Sequence, residues 1–493
     1  MLKKLLLLAT LLALWVALLW FAIGIDLSKY GNVALVAIHL LPPLTLWLGW
    51  LGWGAWRARK QAAEQAAEAE AKRAESEKKH AASRAKFDRE LAAQRTPVDF
   101  RWLQVRDLTG HGDTERLAVD AEGMAVMLHD TELAEIVEEP PDAWPGVQLT
   151  AFFVDLLVQC PAALTLPVYV LGPSDEAFVA QAEKVRAARD AALLQLDQTW
   201  PANRALGAVL GLPQGAASPQ ELIDLCANQP ALPGVVVLAF ESPLSKQAQR
   251  EEEDELSNEA KWRAQWFGKP GQALIGMLLT SPALPSALVH LDEIAPDGAS
   301  TVMTPYWERT QLAPGMVSFL AALPEDWRQA LADLPMIAQL RRPAWIEMEE
   351  KARPTQFTQN MRRLLERAGV NAALIEPNFD AEGEGGEADH VANTLPPKLA
   401  DSAWLVHNAG GISVCGNRLA GIGLAMSDAG MDFGPVNEGT NVVVHAGDCG
   451  RVTPYLMLGL AVAKAAELQK PTLVTHFHER QVAMSFVLPP SLQ

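Results

Sequence analysis

Asn441–Pro454 reads NVVVHAGDCGRVTP and sets His445, Asp448 and Cys449 side by side. A base, an orienting carboxylate and a thiol are the groups that Cys-dependent acyl chemistry uses. CGRVTPY leads into an apolar helix, and a helix N-terminus can lower a thiol pKa. The spacing argues the other way. Residues this close in sequence rarely assemble a triad, whose members meet through folding. Asp448, flanked by Gly447 and Gly450, suits a turn, Thr453 suits a helix cap and Pro454 a first helical position. The residues are therefore read as a turn and no catalytic residue is assigned. Cys449, His445 and Asp448 stand as the alternative.

A second glycine-rich passage, VHNAGGISVCGNRLAGIG (Val406–Gly423), follows an apolar run. It has neither dinucleotide-binding nor P-loop spacing. GISVC falls one residue short of the G-x-S-x-G nucleophile elbow, with Cys415 where the second glycine belongs. His476 and His478 share one face of any strand that carries them, with Glu479 opposite. A metal would need a third ligand such as His407 or His445, and exposed strand histidines are the preferred reading. His407, His445 and His476 each close an apolar run, which suggests a shared sheet edge. Arg341-Arg342 before Pro343 is read as a solvated pair rather than an anion clamp.

Those positions need elements to hold them. Beyond Pro97, apolar runs alternate with helical stretches, as in an α/β fold with mixed sheets. Strands are expected at FRWLQVRDL, LTLPVYVLGP, GVVVLAFESP, RRPAWIEME, AALIEP, AWLVHNAG, GTNVVVHAG, PTLVTHFHER and QVAMSFVLPP. VQLTAFFVDLLVQCPAAL is a strand or a buried helix. Helices are expected over 175–199, 221–226, 327–340, 354–369 and 454–468. Two halves, 97–265 and 266–493, share a rough element order, so a duplication is considered. Residues 379–395 form an acidic loop.

The amino terminus is different. Leu5–Ile25 is uncharged, long enough to cross a hydrocarbon core of about 30 Å, and lacks a signal-peptide cleavage site. Val33–Trp56 is a second span, interrupted by His39 and Pro42-Pro43, with Trp47, Trp50, Trp53 and Trp56 toward its far end. Lys3 and Lys4 precede the first span, and Arg57, Arg59 and Lys60 follow the second, so both termini should face the cytoplasm. The organisation expected is a two-helix membrane anchor (1–56), a polar helical spacer (57–96) and a large cytoplasmic body.

The chain has 493 residues and a net charge of −18. That balance disfavours a nucleic-acid partner. Four cysteines without a CxxC pair give neither a disulfide framework nor a structural zinc site. No cofactor is expected.

Two resemblances add to this. LCANQPALPGVVVLAFESP (Leu225–Pro243) resembles the helix-to-core-strand passage of thiolase and ketoacyl-synthase folds, which also duplicate an α/β half. Their enzymes use a nucleophilic Cys with two His, or His and Asn. Cys160 in VQCPAA and the histidine of VHNAGG do not match those motifs. The whole layout of spans, Ala/Glu/Lys spacer and α/β body resembles the type VI secretion lipase-adaptor family. That resemblance implies a bacterial inner-membrane, non-enzymatic adaptor that loads a lipase effector onto the secretion machinery. The acidic stretches Glu251–Glu255 and Asp380–Asp389 would steer a basic protein partner. The alternative is a thiolase-like or hydrolase-type enzyme using Cys449 or Cys415 with His445 or His407.

Overall fold

The computed structural model describes residues 2–23, 31–94, 97–110, 116–117, 120–121, 124–129, 144–196, 206–212, 220–246, 268–292, 314–347, 354–375, 401–478 and 481–490. Both acidic stretches lie outside the described residues. The chain divides into two compact units, Met1–Glu90 and Leu91–Gln493.

In the first unit, α1 (Leu2–Ala17) passes into a π-helical turn, Leu18–Ile23. Helix α2 (Asn32–Gln94) runs through Pro42-Pro43 and joins the second expected span to the spacer without a break. Among the described residues, one helix is long and apolar enough to cross a membrane, and α1 is shorter. Two spans were expected, so the structure supports only the coarser reading.

In the second unit the expected mixed α/β architecture is present. Its strands are β1 (Val98–Thr109), β2 (Asp120–Ala121), β3 (Met124–His129), β4 (Val168–Leu171), β5 (Val209–Gly211), β6 (Gly234–Glu241), β7 (Ala273–Thr280), β8 (Ala338–Leu340), β9 (Ala344–Glu347), β10 (Trp404–His407), β11 (Gly439–Asn441), β12 (Thr472–His478) and β13 (Gln481–Leu488). Its helices are α3 (Trp144–Gln159), α4 (Phe178–Gln195), α5 (Gln220–Ala227), α6 (Leu284–Asp292), α7 (Pro314–Ala322), α8 (Glu325–Asp333), α9 (Pro354–Asn371), α10 (Ile412–Asp428), α11 (Val442–His445) and α12 (Thr453–Leu468).

One mixed sheet holds them in the order β11-β10-β12-β13-β8-β1-β7-β6-β4-β5. Its two ends match. At one end β4 lies parallel to β5 and β6, and β6 is antiparallel to β7. At the other, β10 lies parallel to β11 and β12, and β12 is antiparallel to β13. Chain order and spatial order agree in both sets, which is the topology a duplicated half would leave. The sheet is continuous across the expected boundary at 265/266, because β7 pairs with both β6 and β1.

The strands bury alternate residues on two faces. One face packs against α5 and α12 through Val235, Val237, Val406 and Val474. The other carries α3, α4 and α6–α8 over one end and α9 and α10 over the second. Helix α12 is buried almost throughout, from Tyr455 to Ala465. A helix apolar on all sides belongs in a core.

Three expectations are corrected. The run Val442–His445 forms the short helix α11 rather than a strand. Only Gly439–Asn441 pair with β10, because residue 441 is the last whose neighbour on that strand exists. The expected helix 327–340 stops at Asp333, and Ala338–Leu340 joins the sheet as β8 between β1 and β13. The expected strand at AALIEP is a turn through residue 375 after α9, with Ala373 at φ 60°.

Candidate active site

The carboxyl ends of β10, β11 and β12 form one edge, the place where open parallel sheets hold ligands. His407 closes β10 and pairs in register with Asn441 of β11 and Thr475 of β12. Register partners on adjacent parallel strands share a face, so the three side chains form a row. The amide of Asn441 donates from Nδ2 to the Gly410 carbonyl at 2.9 Å, while its Oδ1 is buried without a hydrogen-bond partner among the described residues. The Oγ1 of Thr475 is likewise buried and unpartnered. Two orphaned polar atoms flanking a histidine are costly unless a ligand or water meets them.

His407 is 1 % exposed. Burial, with a smaller contribution from His445, pushes its pKa down to about 3. The Ala409 N–H donates to His407 Nδ1 at 3.2 Å. That bond assigns the tautomer: the neutral ring carries its proton on Nε2. His407 is thus a fixed N–H donor.

The chain then turns through Asn408–Gly411. Asn408 clamps β12 at both its ends, donating to the Phe477 carbonyl at 2.9 Å and accepting from the Phe477 N–H at 2.7 Å. Gly410 takes φ 95°, a conformation that favours glycine. Helix α10 starts at Ile412 behind Gly411, which supplies no side-chain cap. Cys415 falls in the first turn of α10, where the helix dipole favours negative charge. The unit is therefore strand–turn–helix, as an elbow requires, although its sequence departs from the elbow pattern.

The matching turn at the other end of the sheet is plugged. There Gln181 fills the turn between β4 and α4, accepting from the Gly172 N–H and donating to the Pro173 and Glu176 carbonyls. At the β4 turn a side chain meets the backbone polar groups, and at the β10 edge Asn441 Oδ1 and Thr475 Oγ1 have no partner among the described residues.

The trio in the opening motif has structural work. The Asp448 carboxylate accepts the Gly450 N–H at 2.9 Å, and Gly450 sits at φ 63°. Cys449 is fully buried, and burial, helped by Asp448 and Glu241, pushes its thiol pKa up. Its Sγ lies 3.9 Å from the Ala446 carbonyl. The carboxylate that meets this turn is Glu241 from β6, which accepts the Arg451 N–H at 2.7 Å and lies 3.6 Å from Lys246. A carboxylate there caps the helical start that leads into α12. Cys160 and Cys226 are also driven up by burial, each to about 12.

The three strand-end histidines separate. His445 ends α11, and its charge would act against one on His407. His476 follows Thr475 and so takes the opposite face of β12 from the His407 row. Its ring stacks on His478 with centroids 6.1 Å apart. Among the described residues no group of three His, Cys, Asp or Glu could hold a metal. Of the arginine pair, Arg342 reaches Asp224 at 2.9 Å, so it is tied to α5 rather than merely solvated. An open cleft of about 550 Å³ beside β5, lined by residues including Leu206, Leu210 and Phe319, lies at the other end of the sheet and has no titratable side chain in its wall.

Asn441 and Thr475 escaped sequence reasoning, because only the register places them beside His407.

The low pKa of His407 has a consequence for stability. Its folded value lies below the unfolded one of about 6.5, so the unfolded chain binds more protons between roughly pH 3 and 6.5. Stability is therefore lost as pH falls through 6.5. Urea denaturation should show the chain about 2 kcal/mol less stable at pH 5 than at pH 7 through this group, and His407→Gln should remove that part of the slope.

No family model matches the chain, and no curated protein matches it. Solved structures do. The dimeric peroxisomal thiolase of Saccharomyces cerevisiae is 9% identical, covering 80% of this chain and 98% of its own, with TM-score 0.39. An oxazolomycin ketosynthase domain from Streptomyces albus JA3453 is 13% identical, covering 80% and 95%, with TM-score 0.38. The 3-oxoacyl-(acyl carrier protein) synthase III of Pseudomonas aeruginosa PAO1 is 11% identical, covering 80% and 98%, with TM-score 0.34. At these identities and scores the likeness carries no substrate or residue role to this chain. It does correct one expectation. The chain was read first as a non-enzymatic type VI secretion adaptor, and the structures it is similar to are thiolases and synthases.

Proposed function

We propose that the body is a thiolase-like or hydrolase-type enzyme that transfers an acyl group at the β10–β12 edge. The observation that carries this is the row His407–Asn441–Thr475, with a tautomer-fixed N–H donor between two buried oxygens that have no partner among the described residues. It stands at a strand–turn–helix unit whose helix carries Cys415 in its first turn. Cys415 is the nucleophile and His445 the base. The thiol passes its proton to His445. The sulfur then forms a bond to the substrate carbonyl carbon, and the bond to the leaving group breaks. His407 Nε2–H donates to the oxygen that gains charge in that step, a contribution of about 10²-fold or more in rate. Water or a second nucleophile then takes the acyl group from sulfur. A membrane hairpin of the two apolar amino-terminal segments holds the body, with both termini on the cytoplasmic side.

Acyl thioesters are the first substrates to test, since a thiolate exchanges with them without a change of bond class. The full chain is incubated with acetyl- and longer acyl-coenzyme A, and free thiol release and intact mass are followed. A single acyl adduct mapped to Cys415, with Cys160, Cys226 and Cys449 unmodified, is the expected result. Iodoacetamide at neutral pH should label Cys415 well ahead of those three. Thioester turnover at the background rate, with uniformly slow labelling, would overturn the reading.

A further inference from the structure

The first unit carries an inference that rests on the hairpin reading above and goes beyond it. Proline at a helix interior supplies no N–H to the carbonyl four residues back. Pro42 in α2 therefore frees the Ile38 carbonyl. Trp15 of α1 donates its Nε1–H to that same carbonyl at 2.9 Å. One helix fills the gap that proline opens in the other. The Thr45 Oγ1 donates to the Pro42 carbonyl at 2.9 Å, securing the backbone on the far side of the proline pair.

We infer that Trp15 and Pro42 form a matched pair that locks α1 against α2 inside a lipid bilayer. In hydrocarbon a freed carbonyl has no water to turn to, so a donor from the neighbouring helix becomes the means of satisfying it. Lipid is the occupant of the remaining apolar surface. Leu14 is 69% exposed and Phe21 92% exposed, and Trp50 and Trp53 are more than half exposed. Lys3 and Lys4 in the first turn of α1, with Arg57, Arg59 and Lys60 after the Trp-rich end of the apolar stretch, put positive charge at both ends of the pair on one side. The Lys60 Nζ lies 5.9 Å from the Trp56 ring centroid, as at a membrane interface.

The test is a double-mutant cycle on the full chain in mild detergent. Lys3→Cys and Lys60→Cys, placed in a Cys415→Ala background, carry a fluorescence donor and acceptor, and energy transfer between them is followed as SDS is added. Trp15→Phe keeps the ring and removes the N–H. In the Pro42 chain it should lower the ratio of closed to open hairpin by about threefold to tenfold, moving the SDS midpoint down. In Pro42→Ala the residue at 42 bonds the Ile38 carbonyl itself, and Trp15→Phe should leave the midpoint in place. Equal shifts in both backgrounds, or no shift in either, would overturn the pairing. Alkaline carbonate extraction of membranes reads the anchor separately. Retention of the chain supports lipid as the occupant, and release into the supernatant overturns it whatever the cycle shows.

Discussion

Cys415→Ala abolishes acyl adduct formation and lowers thioester turnover by about three orders of magnitude or more, as loss of a nucleophile does in triad enzymes. The size follows from its role. The thiol supplies the bond that holds the acyl group, and no other described cysteine can replace it. Cys160, Cys226 and Cys449 have thiols pushed up by burial, so almost no thiolate forms at neutral pH. His407→Ala is the companion variant. It removes an N–H donor and leaves the nucleophile, so turnover should fall by about 10²- to 10³-fold while adduct formation persists slowly. Steady-state kinetics with adduct mass spectrometry separates the two. If Cys415→Ala turns over as wild type does, the nucleophile lies elsewhere and the assignment fails. Cys449→Ala should keep its activity, since Cys449 serves the packing between α12 and the sheet.

Gly276→Ala carries the largest expected loss of stability. Gly276 lies in the middle of β7, paired with Gln104 of β1 on one side and Leu238 of β6 on the other. A Cβ built there would come within 1.7 Å of the Phe152 ring. That ring has nowhere to go. It packs edge-on against Trp102 at 5.3 Å and Phe153 at 5.1 Å, inside the cluster that covers this face. The strand cannot retreat, being bonded to a neighbour on each side. Overpacking a closed core typically costs about 1–3 kcal/mol, and this overlap should put the loss at about 3 kcal/mol or above. Urea denaturation of the full chain in detergent measures it. A loss under about 1 kcal/mol would show that Phe152 has room the packing does not suggest.

The contrast between the two sheet ends explains how far the sequence could be read. The helices expected over 354–369 and 454–468 and the core strand β6 were legible, because each is a long apolar or amphipathic run with its own period. Boundaries failed where pairing decided them. Val442–His445 is β-branched and reads as strand, yet it runs past the end of β10 and winds into a helix instead. Ala338–Leu340 read as the tail of a helix, but an open place between β1 and β13 drew it into the sheet. Local propensity is weak beside a ladder of available hydrogen bonds.

The candidate site divides in the same way. The opening motif placed His445, Asp448 and Cys449 together by sequence adjacency, and the fold gave Asp448 to a turn and Cys449 to the core. His407 and Asn441 are 34 positions apart and pair only because β10 and β11 are neighbours. Asn441 and Thr475 acquire meaning only through register.

What the sequence determined by itself was composition-bound and local: an apolar amino terminus with its flanking charges, a polar helical spacer, an α/β body, and the residues at which strands end. The tertiary structure decided which strand ends are adjacent, which histidine is buried and in which tautomer, and which of two equivalent turns is plugged. The physical reason is that hydropathy and propensity act along the chain. Burial, register and orphaned polar atoms are properties of what lies across it, and a residue's chemistry is set by those neighbours.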